Sequence, residues 1–201
     1  MFDYVGHGRS GLTTYSPERY SSLAGYADDV VAIGQTLGLK GAIFVGHSVS
    51  AMIGALATLK DPEMFSDLVM VGPSARYIDD EHYRGGFSRE QIGELLTFPA
   101  ENHLGWSAAM APAIMGNADR PELGRRLENS FCNTDPDIAR DFAKATSFRT
   151  TERISPLCPR ARWCFSAATT SSRLWRSEST FIPNCSTADT GFCARPATAP
   201  T

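Results

Sequence analysis

Histidine is scarce in this chain and unevenly placed. There are four in 201 residues, His7, His47, His82 and His103, and none follows His103. Long apolar runs are also missing. None approaches the ~18 residues a membrane span needs. No basic-then-apolar leader opens the chain, so the sequence reads as cytoplasmic and not membrane-bound. Positive charge is not in excess. The formal net charge is -3, with 19 Lys and Arg against 22 Asp and Glu, which leaves no footprint for nucleic acid. The five cysteines show no CxxC or Cys/His metal spacing. That argues against a zinc module or a disulfide framework, and no metal or cofactor is expected. What remains is 42% hydrophobic and 20% charged, with 17 Gly and 12 Pro. This composition is globular and excludes a coiled coil, a collagen-like chain or a wholly disordered one.

The averages conceal a break after Thr146. Before it stand 12 Lys and Arg and 19 Asp and Glu; after it stand seven Arg, no Lys and three acids. Four of the five cysteines (Cys158, Cys164, Cys185, Cys193) lie beyond it, where Ser and Thr fill 17 of 55 positions. Folded domains rarely change composition so sharply. The chain divides into residues 1–75, 76–146 and 147–201.

The first segment alternates. Met1–Val5 reads as the end of a strand, followed by a glycine loop at Gly6, Gly8 and Gly11. Ser16-Pro17-Glu18 is a helix-start signal. Leu23, Tyr26, Val30, Ile33 and Leu37 keep a helical period, and Gly38 is a stop. Ala42–Val45 is a short apolar run of the kind buried on both faces of a parallel sheet. Gly46-His47-Ser48-Val49-Ser50 is a sharp turn into a helix over 51–60, which Asp61-Pro62 ends. Leu68–Val71 is another buried strand, closed by Gly72-Pro73. Strand and helix in alternation indicate an α/β fold. Residues 76–146 offer four helical segments, about 88–98, 101–115, 120–131 and 135–146, and no strand. They read as a helical cover over the sheet. After Ser147 no sustained period of either kind is present, and an irregular tail is expected.

Ser48 carries the chemistry. A strand running into a five-residue turn and directly into a helix strains the central residue and exposes its side chain. The turn also aims the helix N-terminus at that side chain. The pattern is G-x-S-x-G with Ser50 in the last position. Ser48 is the candidate nucleophile, and the Val49 N–H is a candidate oxyanion donor. His47 adjoins Ser48, but neighbouring side chains on such a turn diverge, so it reads as a packing or hydrogen-bonding residue.

FDYVGHGRSGL (Phe2–Leu12), IFVGHSVSAMIG (Ile43–Gly54) and LVMVGPSARYIDD (Leu68–Asp80) resemble the α/β-hydrolase fold. Within it they are most similar to RsbQ-like bacterial proteins and to the karrikin and strigolactone receptors of plants. GHSVSAM marks that subgroup more specifically than G-x-S-x-G. GWSAAMAP and SFCNTDPDIA also fit. The resemblance covers about Met1 to Thr146. It implies an incomplete α/β-hydrolase core, a parallel sheet with flanking helices, under a four-helix lid. It also implies a Ser–Asp–His hydrolase of small hydrophobic esters or lactones. The alternative is a ligand sensor in stress signalling, with a protein partner. Ser48 matches the family nucleophile. Trp106, Met110, Met115 and Phe131 are candidates for the pocket wall, and lid-to-core packing explains them equally well.

The pattern then breaks. In this family the acid and histidine follow the serine, both after the lid. Here the only later histidines, His82 and His103, fall in or near the lid. The tail permits a specific explanation. Trp163 is encoded by TGG and Cys164 begins TG, so a frame slid back one base reads Val across them. Permitted codons then give Leu-Val-Leu-Gln over Arg162–Ser166, a strand. They also give an acid loop over Ala167–Arg176 and a histidine loop over Ala194–Thr201, in family order. The expectation is that the tail is a frameshift product and Met1 an internal start. The chain itself would then lack the acid and the base, and be catalytically impaired.

Overall fold

The computed structural model describes residues 1–73, 77–79, 86–147 and 161–165. Its elements run α1 (Leu23–Thr36), β1 (Ala42–His47), α2 (Val49–Lys60), β2 (Phe65–Val71), α3 (Arg89–Glu101), α4 (His103–Met115), α5 (Pro121–Cys132), α6 (Pro136–Ser147) and β3 (Ala161–Phe165). The strands form one parallel sheet in the order β1-β2-β3. Strand–helix alternation is what makes it parallel, because each return crosses over through a helix.

Helix α1 buries Leu23, Tyr26, Ala27, Val30 and Gly34, one stripe at helical spacing, but the face read from sequence is not buried to its end: Ile33 and Leu37 are exposed, where the helix runs out past the core to its cap. It closes as the sequence requires. Gly38, at φ 64°, donates to the Gln35 carbonyl, and Leu39 donates to the Gly34 carbonyl, the paired bonds of a left-handed C-terminal cap. Helix α1 packs on α2, and α2 packs on the sheet. Between them lie Tyr26, Ile53 and Leu68, almost wholly buried. Each fully buried apolar side chain of this size stabilises the fold by about 1.5–3 kcal/mol.

Four further expectations need correction. Met1–Val5 is not a strand in the structure but an irregular segment leading into a turn. A strand requires a partner, and β1 is hydrogen-bonded to β2 alone among the described residues. Ser16-Pro17-Glu18 starts a turn, not the helix. Tyr20 donates to the Ser16 carbonyl, and α1 begins only at Leu23. Strand β1 is not buried on both faces. Phe44 faces α2, whereas Ile43 and Val45 are 63% and 68% exposed. Covering both faces takes helices on both sides, and the helix packed on β1 among the described residues is α2, on the Phe44 face. Finally, the tail is not wholly irregular, since β3 pairs with β2 from Leu68↔Ala161 to Val71↔Phe165. A five-residue strand has too few positions to show a period, and its backbone pairing does not depend on one.

The four helices after β2 fall within a few residues of the segments read from sequence. Helix α6 runs through Ser147, one residue past the 146/147 division; the 75/76 division, and the rest of the tail outside 161–165, lie outside the described residues.

Candidate active site

The turn at Ser48 is built by three constraints. Strand β1 delivers the chain to His47, and α2 begins at Val49, leaving one residue to reverse it. Ser48 takes φ 55°, ψ −123°, the one positive φ outside glycine among the described residues. A side chain held there costs on the order of 1–3 kcal/mol. The surroundings hold it. The Ser48 N–H donates to the Val71 carbonyl at 2.8 Å, tying the turn to the end of β2. Gly46 makes room, because a Cβ there would stand 2.6 Å from the Ala51 nitrogen and 2.7 Å from the Ser50 carbonyl carbon. Strand and helix meet too closely for any larger residue.

The turn presents a hydroxyl and an N–H together. Val49 is the first helical residue, so its N–H has no carbonyl one turn earlier to bond. It lies at the helix N-terminus next to Ser48, the end of a helix that favours negative charge. Ser50 accepts a hydrogen bond from the Tyr4 hydroxyl at 3.2 Å, so a serine in the last position of the motif is used to anchor the N-terminal segment. Burial pushes the Tyr4 phenol up, and the bond to Ser50 partly opposes this.

Among the described residues the Ser48 hydroxyl is bonded to the Tyr77 hydroxyl, at 3.3 Å. Tyr77 is buried, and burial pushes its phenol up, so it keeps its proton at neutral pH. Sequence reasoning did not single out Tyr77. It stands 29 residues from Ser48, and only the return of β2 brings the two together.

The histidines do not complete a triad in the described structure. His7 Nδ1–H donates to the Val5 carbonyl at 3.0 Å, and its ring lies edge-on to Phe142. His47 is exposed at the end of β1. His103 opens α4, and His82 lies outside the described residues. Of the pocket candidates, the structure brings Trp106 and Phe131 together, with ring centroids 5.3 Å apart across α4 and α5. Met110 and Met115 are half-buried on α4. A cleft of about 490 Å³ opens elsewhere, between the N-terminal segment and α1, lined by Phe2, Tyr4, Arg19, Tyr20 and Ile33; Ser48 is not part of it. No group of three metal-ligating side chains is present among the described residues, and no helix there is long and apolar enough to cross a membrane.

Comparison with known proteins agrees with this architecture. A karrikin insensitive 2 receptor from Petunia hybrida is 38% identical over 139 residues, 69% of this chain and 52% of that protein. A probable esterase from Oryza sativa subsp. japonica is 36% identical over 157 residues, 78% of this chain and 58% of the relative. The chain thus spans little more than half the length of these curated relatives. A hydrolase from Oleispira antarctica superposes with a TM-score of 0.84 at 37% identity, covering 92% of this chain and 69% of that one. The sequence profile of the alpha/beta hydrolase fold matches residues 1–156. By that match, and by the strand-to-helix turn that carries Ser48, the chain belongs to the alpha/beta hydrolase fold family.

Proposed function

We propose that this chain carries the nucleophile and the lid of a serine hydrolase acting on small hydrophobic esters or lactones. The observation that carries the reading is Ser48, held at positive φ between β1 and α2 next to Val49, the first residue of the helix. Ser48 Oγ attacks a carbonyl carbon. The carbonyl electrons move onto oxygen, where the Val49 N–H stabilises the charge. Helices α3–α6 form the lid, and Trp106, Met110, Met115 and Phe131 line the apolar pocket beneath it.

The chain as it stands is impaired. A serine needs a base within hydrogen-bond reach, and the protonated Tyr77 is not one. Losing triad members costs about 10⁴- to 10⁶-fold in kcat in serine enzymes. The shifted frame accounts for the loss. It would put a strand where β3 lies, followed by the acid and histidine loops.

The second reading is a ligand sensor, in which the lidded pocket binds a small molecule and a signalling protein meets the lid. Relatives named as a strigolactone esterase and as a karrikin insensitive receptor match this chain equally well, at 37% and 38% identity. Both readings place the protein in the cytoplasm.

The test is a fluorophosphonate probe in large excess, incubated overnight with the chain and with Ser48→Ala, and read by mass spectrometry. Slow labelling confined to Ser48 supports the nucleophile reading. Equal labelling of both proteins, or none of either, refutes it. Fast turnover of a nitrophenyl ester that depends on Ser48 would refute the impairment.

A further inference from the structure

Tyr77 draws its environment from two parts of the fold at once. Its hydroxyl reaches the nucleophile turn, 3.3 Å from Ser48 Oγ. Its ring is buried with Ile78 and Ile92, and Phe87 packs against that cluster. Its backbone is clasped by the segment that leads into α3. The Phe87 N–H donates to the Tyr77 carbonyl at 3.1 Å, and the Asp79 N–H donates to the Phe87 carbonyl at 2.8 Å. Ile78 and Phe87 form a parallel bridge, and the Gly86 N–H donates to the Asp79 carboxylate at 2.8 Å. Ser88 then starts α3, its hydroxyl accepting from the Gln91 N–H and its own N–H donating to the Gln91 side chain. The phenol is thus fixed by the root of the helical segment.

We infer that Tyr77 is a positioning residue for Ser48: its hydroxyl, fixed by the Phe87 clasp, holds the Ser48 side chain in one orientation and links the lid root to the nucleophile. The inference rests on Ser48 being the nucleophile. Ser48 is half-buried, and among the described residues its hydroxyl is bonded to that of Tyr77. A hydroxyl without a fixed partner samples its rotamers, and each misdirected one is lost to attack. The buried phenol supplies a partner that is itself rigid. Being protonated, it orients the serine without taking its proton.

The test combines a spectroscopic and a kinetic arm, on the full chain. Tyrosine is labelled with carbon-13 at Cζ, and the Tyr77 resonance is identified as the one absent from Tyr77→Phe. It moves in Ser48→Ala if the two hydroxyls are bonded. Fluorophosphonate labelling then reads the consequence: Ser48 Oγ bonds to phosphorus, fluoride leaves and the hydroxyl proton passes to solvent. Tyr77→Phe keeps the ring and its packing. It is expected to lower the limiting labelling rate about 2- to 10-fold, the worth of one neutral hydrogen bond, while leaving the half-saturating probe concentration unchanged. Phe87→Ala, which loosens the clasp, lowers the same rate in the same direction. A resonance that does not move in Ser48→Ala overturns the contact. An unchanged limiting rate in Tyr77→Phe overturns the positioning role. Absence of Ser48 labelling in the unaltered chain overturns the nucleophile reading instead, and the positioning role with it, whatever the resonance does.

Discussion

Replacing Ser48 with glycine is expected to make the protein more stable than replacing it with alanine, a reversal of the usual order for these residues near a helix. Both variants lose the hydroxyl and with it the bond to Tyr77. They differ by a methyl group and by backbone freedom. At φ 55°, ψ −123°, any Cβ is strained, at a cost on the order of 1–3 kcal/mol. Glycine escapes that cost but gains freedom in the unfolded chain, which takes back about 0.4–1 kcal/mol. The balance favours Ser48→Gly over Ser48→Ala by roughly 1–2 kcal/mol. For a chain of this size that is about 2–4 °C in Tm for each kcal/mol. Urea unfolding of both variants, followed by circular dichroism and compared at equal slope, measures the difference. A Ser48→Ala midpoint equal to or above that of Ser48→Gly would show that the turn stores no strain. The fold would then not be holding Ser48 against its backbone preference at the turn.

Strand β1 presents Ile43 and Val45 to solvent at 63% and 68% exposure, on a strand with an unpaired edge among the described residues. Such an edge invites association between chains. The double substitution Ile43→Lys, Val45→Lys should reduce light scattering on warming while changing stability by no more than about 0.5 kcal/mol. A loss of 2 kcal/mol or more would mean these side chains are packed, not exposed. The coding DNA offers a separate check. A frame slid back one base across the Trp163–Cys164 codons should encode a strand, then an acid loop, then a histidine loop. An open frame without those loops removes the frameshift account of the missing base.

Much of this protein was legible in its sequence because the relevant signals are local. The first part of the α1 stripe, Leu23 to Val30, the cap at Gly38 and the stop at Asp61-Pro62 each act over a few residues and stand where the pattern put them, whereas Ile33 and Leu37, read on the same buried face, are exposed. The same holds for Ser48: strand, small residues and helix are contiguous, so the turn that exposes it is written in one stretch. Strand β1, in contrast, was misread as buried on both faces. Apolar side chains record that a face can be covered, and not whether a helix arrives to cover it. Helix α2 covers the Phe44 face, and Ile43 and Val45 on the other face are exposed. Met1–Val5 has a strand-like composition but no partner among the described residues, and pairing is a property of two segments.

By itself, then, the sequence determined the family, the alternation of elements and the strand-to-helix turn that carries Ser48, all of which rest on residues near one another along the chain. Only the tertiary structure decided what surrounds that serine. Tyr77 meets Ser48 because β2 returns the chain alongside β1 and the Phe87 clasp turns the ring inward. No spacing announces such a contact, because its distance is set by the packing of the sheet and not by the number of residues between.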